Sequence, residues 1–437
     1  MYYLLSLIQL IIFLTFMINS FKKQGLTSIV DQGKIMFILW IMSLTLYDLR
    51  LSSLYNPTII INIMGISIWA SFFILSRYIY LRKEDITYTL ENVKKYEINE
   101  IYSVAANVIF VLGLSLFIYN VNKYGLTILE ENRVNKQPLD HYSSYVIYML
   151  VLASEIKYIL FRNYRKILDL IIFIISIFTL FLTLNRGPIA FLFVTIALYE
   201  VFNFINISKR LSKTQRYITY GSLSLLIIGF VIFFGFVGNL RMEYVLEEVY
   251  QTTLWEHYGV STVMPSALLW VYVYITSPFE NIAFSLVNDT VSYAYFNNLL
   301  YPFIKFSANL VGKGEEYKAW LLGRGSYTPY LQEKVGLNAA TFIPEAYQDF
   351  GFIGFVIYLG IYILIAYSTI KIMKSKAGYS SLGKILIYTN GTSMLIWTVF
   401  TNSFKLPILI MNIMLVLFIE YAYKKGYFKF WFKFKKI

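Results

Sequence analysis

Of the 437 residues of this chain, 58% are hydrophobic and only 14% are charged. A soluble domain averages about 25% charged residues, so the composition excludes an ordinary soluble globular protein. The chain contains no cysteine, which excludes disulfide bonds, thiolate metal sites and cysteine nucleophiles. Its net charge is +13, but the basic residues are scattered between apolar segments, as expected for residues that anchor membrane-protein loops. We therefore expect membrane lipid, and no nucleic acid, among the partners.

The hydrophobic residues form long runs that predict a polytopic membrane protein. Segments 168–184 and 218–237 hold almost no charge over roughly the 20 residues that a bilayer-spanning helix needs. The predicted fold class is all-α, a polytopic membrane helical bundle of about eleven transmembrane helices. The predicted spans are 2–18, 34–49, 57–76, 101–121, 142–161, 167–184, 188–206, 217–238, 351–370, 384–402 and 406–423.

The distribution of Lys and Arg predicts the orientation of these spans. With the N-terminus outside, six segments face the cytoplasm and contain 24 of the 38 basic residues, whereas 12 lie on the opposite side. Cytoplasmic loops carry the excess of basic residues in membrane proteins. We therefore predict an external N-terminus and a cytoplasmic C-terminus. The basic, aromatic tail at 424–437 is predicted to lie against the anionic inner leaflet.

One predicted connection is much longer than the others. It contains the apolar stretch 264–287, which is interrupted by Pro265, Pro278 and Glu280. A further span there would move the later basic segments to the wrong side, so we expect interfacial or re-entrant helices instead. The predicted organisation is eight transmembrane helices in 1–238, a large extracytoplasmic loop at 239–350, three transmembrane helices in 351–423, and a cytoplasmic tail at 424–437.

Three arginines are predicted to face the outer side, where basic residues are scarce. Arg186 lies between spans six and seven in TLNRGPIAFL, where only residues 185–187 are available to turn and Pro188 suits a first helical turn. Arg241 follows span eight in GFVGNLRMEYVLEE, and Arg324 lies between glycines in LLGRGSYTPYL. An arginine fork near helix N-terminal amides can bind an anion. The alternative for Arg186 is that it reaches lipid head groups.

Two carboxylates precede span nine in TFIPEAYQDFGFIGF, residues 341–355. Glu345 and Asp349 are spaced i, i+4, so on a helix they share one face. Either could act as the general base for a sugar hydroxyl, or could simply complement a helix N-terminus. We expect Tyr347, between them, and Tyr327, near Arg324, to contact the substrate.

His257, in TTLWEHYG, is the histidine of the large loop. It could act as a base or a diphosphate ligand, or could be a satisfied loop histidine. Outward arginines beside carboxylates suit one chemistry: they would hold a lipid diphosphate, stabilise it as the leaving group and deprotonate an attacking hydroxyl. No D-x-D-type acidic pair lies on the predicted outer side, so we expect neither a metal nor a cofactor.

The span layout and the motifs NRG, GNLR, YVYITSPFEN and EAYQDFGFIGFVIYLG resemble those of the Wzy-type oligosaccharide repeat-unit polymerases, over roughly residues 100–420. The resemblance implies a GT-C-like glycosyltransferase of the bacterial cytoplasmic membrane that needs no metal. Its donor and acceptor would be polyprenyl-diphosphate-linked oligosaccharides, and further partners would be a flippase and a chain-length regulator. By position, Arg186, Arg241 and Arg324 match the outward arginines that are expected to bind the donor diphosphate in this family.

Two alternatives to a polymerase remain. An O-antigen ligase performs similar chemistry on a different acceptor, and the sequence separates the two poorly. A lipid-linked oligosaccharide flippase belongs to a different class, in which charged residues are expected inside the bundle and pseudo-symmetric halves are common. The outward placement of the candidate arginines favours an enzyme over a flippase.

Overall fold

A computed structural model describes residues 2–93, 97–126, 141–207, 212–288, 293–324 and 330–428. Within these ranges the chain is helical, and its only extended pairing is an isolated bridge between Ser52 and Val260. The all-α prediction is confirmed. The α-helices are α1 Tyr2–Gln24, α2 Gln32–Asp48, α3 Ile59–Tyr78, α4 Lys83–Asn92, α5 Ile98–Tyr124, α6 His141–Tyr148, α7 Leu150–Tyr164, α8 Ile167–Leu182, α9 Arg186–Ile207, α10 Lys213–Tyr244, α11 Leu254–His257, α12 Ser266–Asn288, α13 Tyr301–Leu310, α14 Gly314–Leu322, α15 Tyr330–Val335, α16 Ile343–Lys374, α17 Ser381–Ile396 and α18 Pro407–Lys424.

Many of these helices are suited to a bilayer. Seven in the described ranges are long and apolar enough to cross a membrane, or eight if a pair bent by 46° within 228–250 is one span. The seven are Tyr2–Ser28, Ile59–Tyr78, Ile98–Tyr124, Ser143–Tyr164, Arg186–Ile207, Ile343–Lys374 and Pro407–Lys424. The predicted spans at 34–49, 167–184 and 384–402 coincide with the shorter helices α2, α8 and α17. The structure therefore has the character of a multi-pass bundle, and the count of eleven stays a prediction.

The large loop differs from its prediction in two details. The helix of span eight does not end at residue 238: α10 continues to Tyr244, with a 46° bend between Leu240 and Met242, and a π-helical segment follows at Val245–Tyr250. Pro278 also does not interrupt the apolar stretch, because it lies inside the continuous helix α12. Burial of α12 residues such as Phe279 and Ile282 against the surrounding core compensates for the backbone hydrogen bond that proline cannot donate.

The helices form two compact units, each assembled from separate stretches of the chain. The first unit comprises Met1–Tyr80, Val231–Tyr367 and Met394–Pro407. In its core, the indole ring of Trp40 on α2 lies edge-on to Phe279 of α12, at 5.8 Å, and to Phe342 before α16, at 5.9 Å. Helix α3 lies close to α2 because Gly65 has no side chain; a Cβ atom there would lie 2.8 Å from Leu44.

The second unit comprises Leu81–Phe230, Ser368–Ser393 and Ile408–Ile437. Polar contacts join its helices from within. Lys157 of α7 forms a buried ion pair with Asp169 of α8, at 2.8 Å. The hydroxyl of Tyr102 on α5 donates to Glu420 of α18, also at 2.8 Å. The end of the predicted membrane-surface tail, from residue 429, lies outside the described residues.

The predicted orientation can be tested at Lys313, an exposed residue between α13 and α14. A cysteine placed at position 313 is expected to be extracytoplasmic, because α13 and α14 belong to the predicted outer loop. Its reaction with a membrane-impermeant label in intact cells measures this, and a cysteine replacing Lys376, between α16 and α17, is the cytoplasmic control. Labelling of position 376 alone would contradict the orientation.

Candidate functional site

The predicted carboxylate motif lies on a short helical segment before a break in α16. Backbone angles are non-helical at Phe350 and at Gly351, whose φ is 62°. Glycine adopts this left-handed conformation at little cost, whereas a larger residue is strained there. A Cβ atom on Gly351 would also lie 3.2 Å from the hydroxyl of Tyr293. The break therefore separates the segment that carries Glu345 and Asp349 from the long remainder of α16.

Glu345 combines one paired and one unpaired carboxylate oxygen. Its Oε1 accepts a hydrogen bond from Nζ of Lys405, at 3.2 Å, and the two side chains are 14% and 27% exposed. Its Oε2 is buried and forms no hydrogen bond within the described residues. Buried polar atoms are normally paired, so this unpaired oxygen is unusual. Lys405 ends the 3-10 turn Ser403–Lys405.

Asp349 is instead saturated with protein hydrogen bonds. It is completely buried, and its carboxylate accepts from the backbone amides of Asn298 and Leu299, each at 3.2 Å, and from the hydroxyl of Tyr358 at 2.6 Å. The side-chain amide of Asn298 donates to it as well. These contacts favour a structural role, in which Asp349 holds the turn at 298–299 against α16.

The residues just before the 298–299 turn connect Arg324 to this region. Two backbone hydrogen bonds attach these residues to α16: the Ala294 amide donates to Gln348 O at 2.9 Å, and the Tyr295 amide donates to Asp349 O at 3.3 Å. Arg324, just after α14, donates from Nη1 to the backbone oxygen of Tyr293 at 3.1 Å. The described contacts thus link Arg324 and the Glu345 segment through a single stretch of the first unit.

Arg324 presents a half-buried guanidinium group. Its Cζ lies 4.5 Å from the centre of the Trp320 ring, in the range of a cation–π contact. Stacking on an aromatic ring orients the planar guanidinium, and a planar guanidinium is well suited to recognise an oxyanion. This arrangement suits the predicted diphosphate-binding role.

The three predicted arginines differ in where they lie. Arg186 belongs to the second unit, whereas Arg241 and Arg324 belong to the first. Arg186 is buried, with 8% of its surface exposed. Arg241 lies in α10 at the 46° bend between Leu240 and Met242, where the straight part of span eight ends, and its side chain lies outside the part of the chain that the structure describes. The convergence of all three on one diphosphate therefore stays a prediction.

The turn before Arg186 is built differently from the prediction. It is formed by Thr183, Leu184 and Asn185, and Arg186 is already the first residue of α9. Leu184 has a positive φ of 52°, and the side-chain oxygen of Asn185 accepts from the Gly187 amide at 3.2 Å. Asn185 thus acts as a helix cap, which is why the helix begins at Arg186, two residues before the predicted start of the span at 188.

His257 is held inside the first unit. It is 9% exposed, its Nε2 lies 3.3 Å from the backbone oxygen of Val335, and its ring lies against Tyr250 and Tyr258. Burial lowers the pKa of His257 below its usual value, which favours the neutral imidazole. These contacts favour the satisfied loop histidine over a base or a diphosphate ligand.

Of the two predicted substrate-contacting tyrosines, Tyr347 is half-buried on the short segment with Glu345, and Tyr327 lies outside the described residues. Sequence reasoning overlooked Lys405, which it treated only as one of the outer basic residues. A signal was present, because Lys405 is the only basic residue between spans ten and eleven. Its pairing with Glu345, 60 positions earlier, could not be foreseen.

No known protein family matches this chain, and no curated protein or solved structure is similar to it. The family resemblance of the short motifs therefore stays a prediction. Within the described residues, no three His, Asp or Glu side chains are grouped as a metal site would require. The candidate site thus rests on Glu345, Lys405 and Arg324.

Replacing Asp349 by Ala is expected to destabilise the first unit by about 3 kcal/mol, because buried amides would lose their acceptor. Thermal denaturation of the purified protein in detergent measures the change. Asp349→Asn retains one acceptor oxygen and should lose less stability. If Asp349→Ala had normal stability but no activity, the structural role would be contradicted and Asp349 would again be a candidate general base.

Proposed function

We propose that this protein is a membrane glycosyltransferase that joins polyprenyl-diphosphate-linked oligosaccharide units at the outer face of the bacterial cytoplasmic membrane. It transfers the growing chain from its lipid diphosphate onto a new lipid-linked unit. The observation that supports this most is the buried, unpaired Oε2 of Glu345, in the same part of the first unit as a guanidinium stacked on Trp320.

Glu345 is suited to act on the acceptor. Its Oε1 is oriented by Lys405, and its Oε2 accepts the proton of the acceptor hydroxyl. General-base catalysis of this kind contributes about 10²–10⁴-fold to a rate. Lys405 acts as a positioning residue, because its contact is with Glu345 rather than with the substrate.

Arg324 is suited to act on the donor. As the acceptor oxygen forms its bond to the anomeric carbon, the bond from that carbon to the diphosphate oxygen breaks. The polyprenyl diphosphate leaves with the electron pair, and its growing negative charge is stabilised by the guanidinium. The proton removed from the hydroxyl resides on Glu345 and returns to water when the products leave.

The test is to incubate the purified protein with a polyprenyl-diphosphate oligosaccharide and resolve the products by size. We expect a ladder of lipid-linked oligomers, unchanged by a chelator of divalent cations. A single unit that stays unextended would overturn the proposal, and loss of the ladder with the chelator would overturn its metal-free chemistry. A product formed only on a lipid A-core acceptor would indicate the ligase instead.

A second candidate, a transporter of lipid-linked oligosaccharides, is favoured by a different observation. The second unit contains the buried Lys157–Asp169 ion pair and the fully buried carboxyl group of Glu155. Ionisable groups inside membrane helices often mark transport pathways. Reconstitution into liposomes separates the two functions, because a transporter would move the lipid-linked unit across the bilayer without lengthening it.

A further inference from the structure

Glu155 stands out among the ionisable residues that the proposed function does not use. It lies within Ser143–Tyr164, one of the segments suited to cross a membrane, and is 0% exposed. A carboxylate in such a place is costly unless it is paired or neutralised. Its surroundings therefore decide which charge state it can hold.

Within the described residues, the polar contacts of Glu155 are made by neutral groups of the second unit. The hydroxyl of Thr195 on α9 donates to Oε1 at 2.7 Å, and the side-chain amide of Asn390 on α17 donates to Oε2 at 2.7 Å. Asn412 on α18 donates in turn to Asn390 Oδ1 at 3.1 Å. The Oδ1 atom of Asn412 is itself buried without a hydrogen-bond donor in the described residues.

No cation compensates the carboxyl group within the described residues. The charged and titratable groups of the surrounding helices contact other partners: Lys157 pairs with Asp169, and Arg162 pairs with Glu200. The remaining charged or titratable groups on these helices and on α5 form no hydrogen bond or ion pair with Glu155 in the described ranges. They are Tyr158 and Tyr164 on α7, Arg186 and Tyr199 on α9, Lys384 and Tyr388 on α17, Glu420, Tyr421, Tyr423 and Lys424 on α18, and Glu100, Tyr102, Tyr119, Lys123 and Tyr124 on α5.

We propose that Glu155, with Thr195 and Asn390, forms an intramembrane proton-binding site. The neutral acid is the form that this environment favours, because burial penalises the anion and two neutral donors compensate it only in part. A metal ion is disfavoured because Asn390 directs its NH₂ group, rather than its oxygen, at the carboxyl group.

Infrared spectroscopy of the protein in sodium- and potassium-free nanodiscs tests the site directly. Wild-type protein should show the carbonyl band of a buried, protonated carboxylic acid, and Glu155→Gln should lose it. Glu200→Gln is the matched control: Glu200 pairs with Arg162 at 2.7 Å and does not contact Glu155, so this variant should leave the acid band of Glu155 unchanged. If Glu155→Gln does not fold, Thr195→Val should shift the frequency of the band by removing one hydrogen bond.

Thermal denaturation provides a second readout. Because folding favours the protonated form, the stability of the wild type should fall as the pH rises and Glu155 loses its proton. Glu155→Gln is neutral at every pH and should lack this component. The proposal is overturned if the acid band is absent from wild type or unaffected by both variants. It is also overturned if sodium or potassium saturably stabilises wild type but not Glu155→Gln at alkaline pH.

Discussion

Replacing Glu345 by Gln is expected to lower the rate of chain elongation by about 10²–10⁴-fold, the contribution of a general base. Glutamine preserves the size of the side chain and can still accept from Lys405, but it cannot remove a proton from the acceptor hydroxyl. The rate of appearance of oligomers longer than one unit, measured with purified protein, reports this step. The fold should be retained, since the substitution removes a charge rather than packing.

The matched control for this experiment is Glu315→Gln. Glu315 is also an acidic residue of the first unit that pairs with a lysine, Lys305, at 3.2 Å, but its side chain is 80% exposed. Glutamine at this exposed position can still accept a hydrogen bond from Lys305, whose own side chain is 5% exposed, so this variant should elongate chains at the wild-type rate. If Glu345→Gln elongated chains at the wild-type rate, Glu345 would not be the general base, and the proposed site would contain no residue for that role.

Replacing Arg324 by Ala is expected to leave single lipid-linked units and no long-chain polysaccharide, with normal amounts of protein in the membrane. Removing a group that stabilises transition-state charge costs about 10²–10³-fold in rate. Because Arg324 is half-buried at a loop, the fold should tolerate its loss. Arg324→Lys should recover part of the activity, since lysine keeps the charge but not the planar fork.

Lys318→Ala is the control for Arg324. Lys318 lies on the adjacent helix α14, is 52% exposed and is 4.0 Å from Glu315, so it shares the local charge without the contacts to Trp320 and Tyr293. Chain lengths should be normal in this variant. If both variants shortened the chains equally, the effect of Arg324 would reflect the general positive charge of the loop rather than binding of the diphosphate.

The helical elements were largely predictable from the sequence, because long uncharged runs satisfy the length and hydrogen-bonding demands of a bilayer. Their ends were less predictable. The start of α9 depends on the cap formed by Asn185. The extension of α10 to Tyr244 contains polar residues that are not typical of a transmembrane span, so the sequence did not predict it. The continuity of α12 through Pro278 depends on packing against other helices, which local sequence does not encode.

The candidate site was predictable only in part. Glu345 and Arg324 were singled out because a charged residue near apolar spans is costly and a glycine-flanked arginine is accessible. The distinction between Glu345 and Asp349 could not be made, because both occupy the same face of one helical turn. It depends on which of them meets the amides of the 298–299 turn, from a segment 50 residues earlier.

Composition and the spacing of apolar runs were enough, by themselves, to determine that this is an all-helical chain suited to a membrane. Only the tertiary structure decided that Asp349 is saturated by its neighbours, that one oxygen of Glu345 is buried without a hydrogen bond in the described residues, and that Glu155 is surrounded by neutral donors. The physical reason is that hydrophobicity is a property of each segment, whereas the charge state and availability of a carboxyl group depend on side chains that distant segments bring within hydrogen-bonding distance.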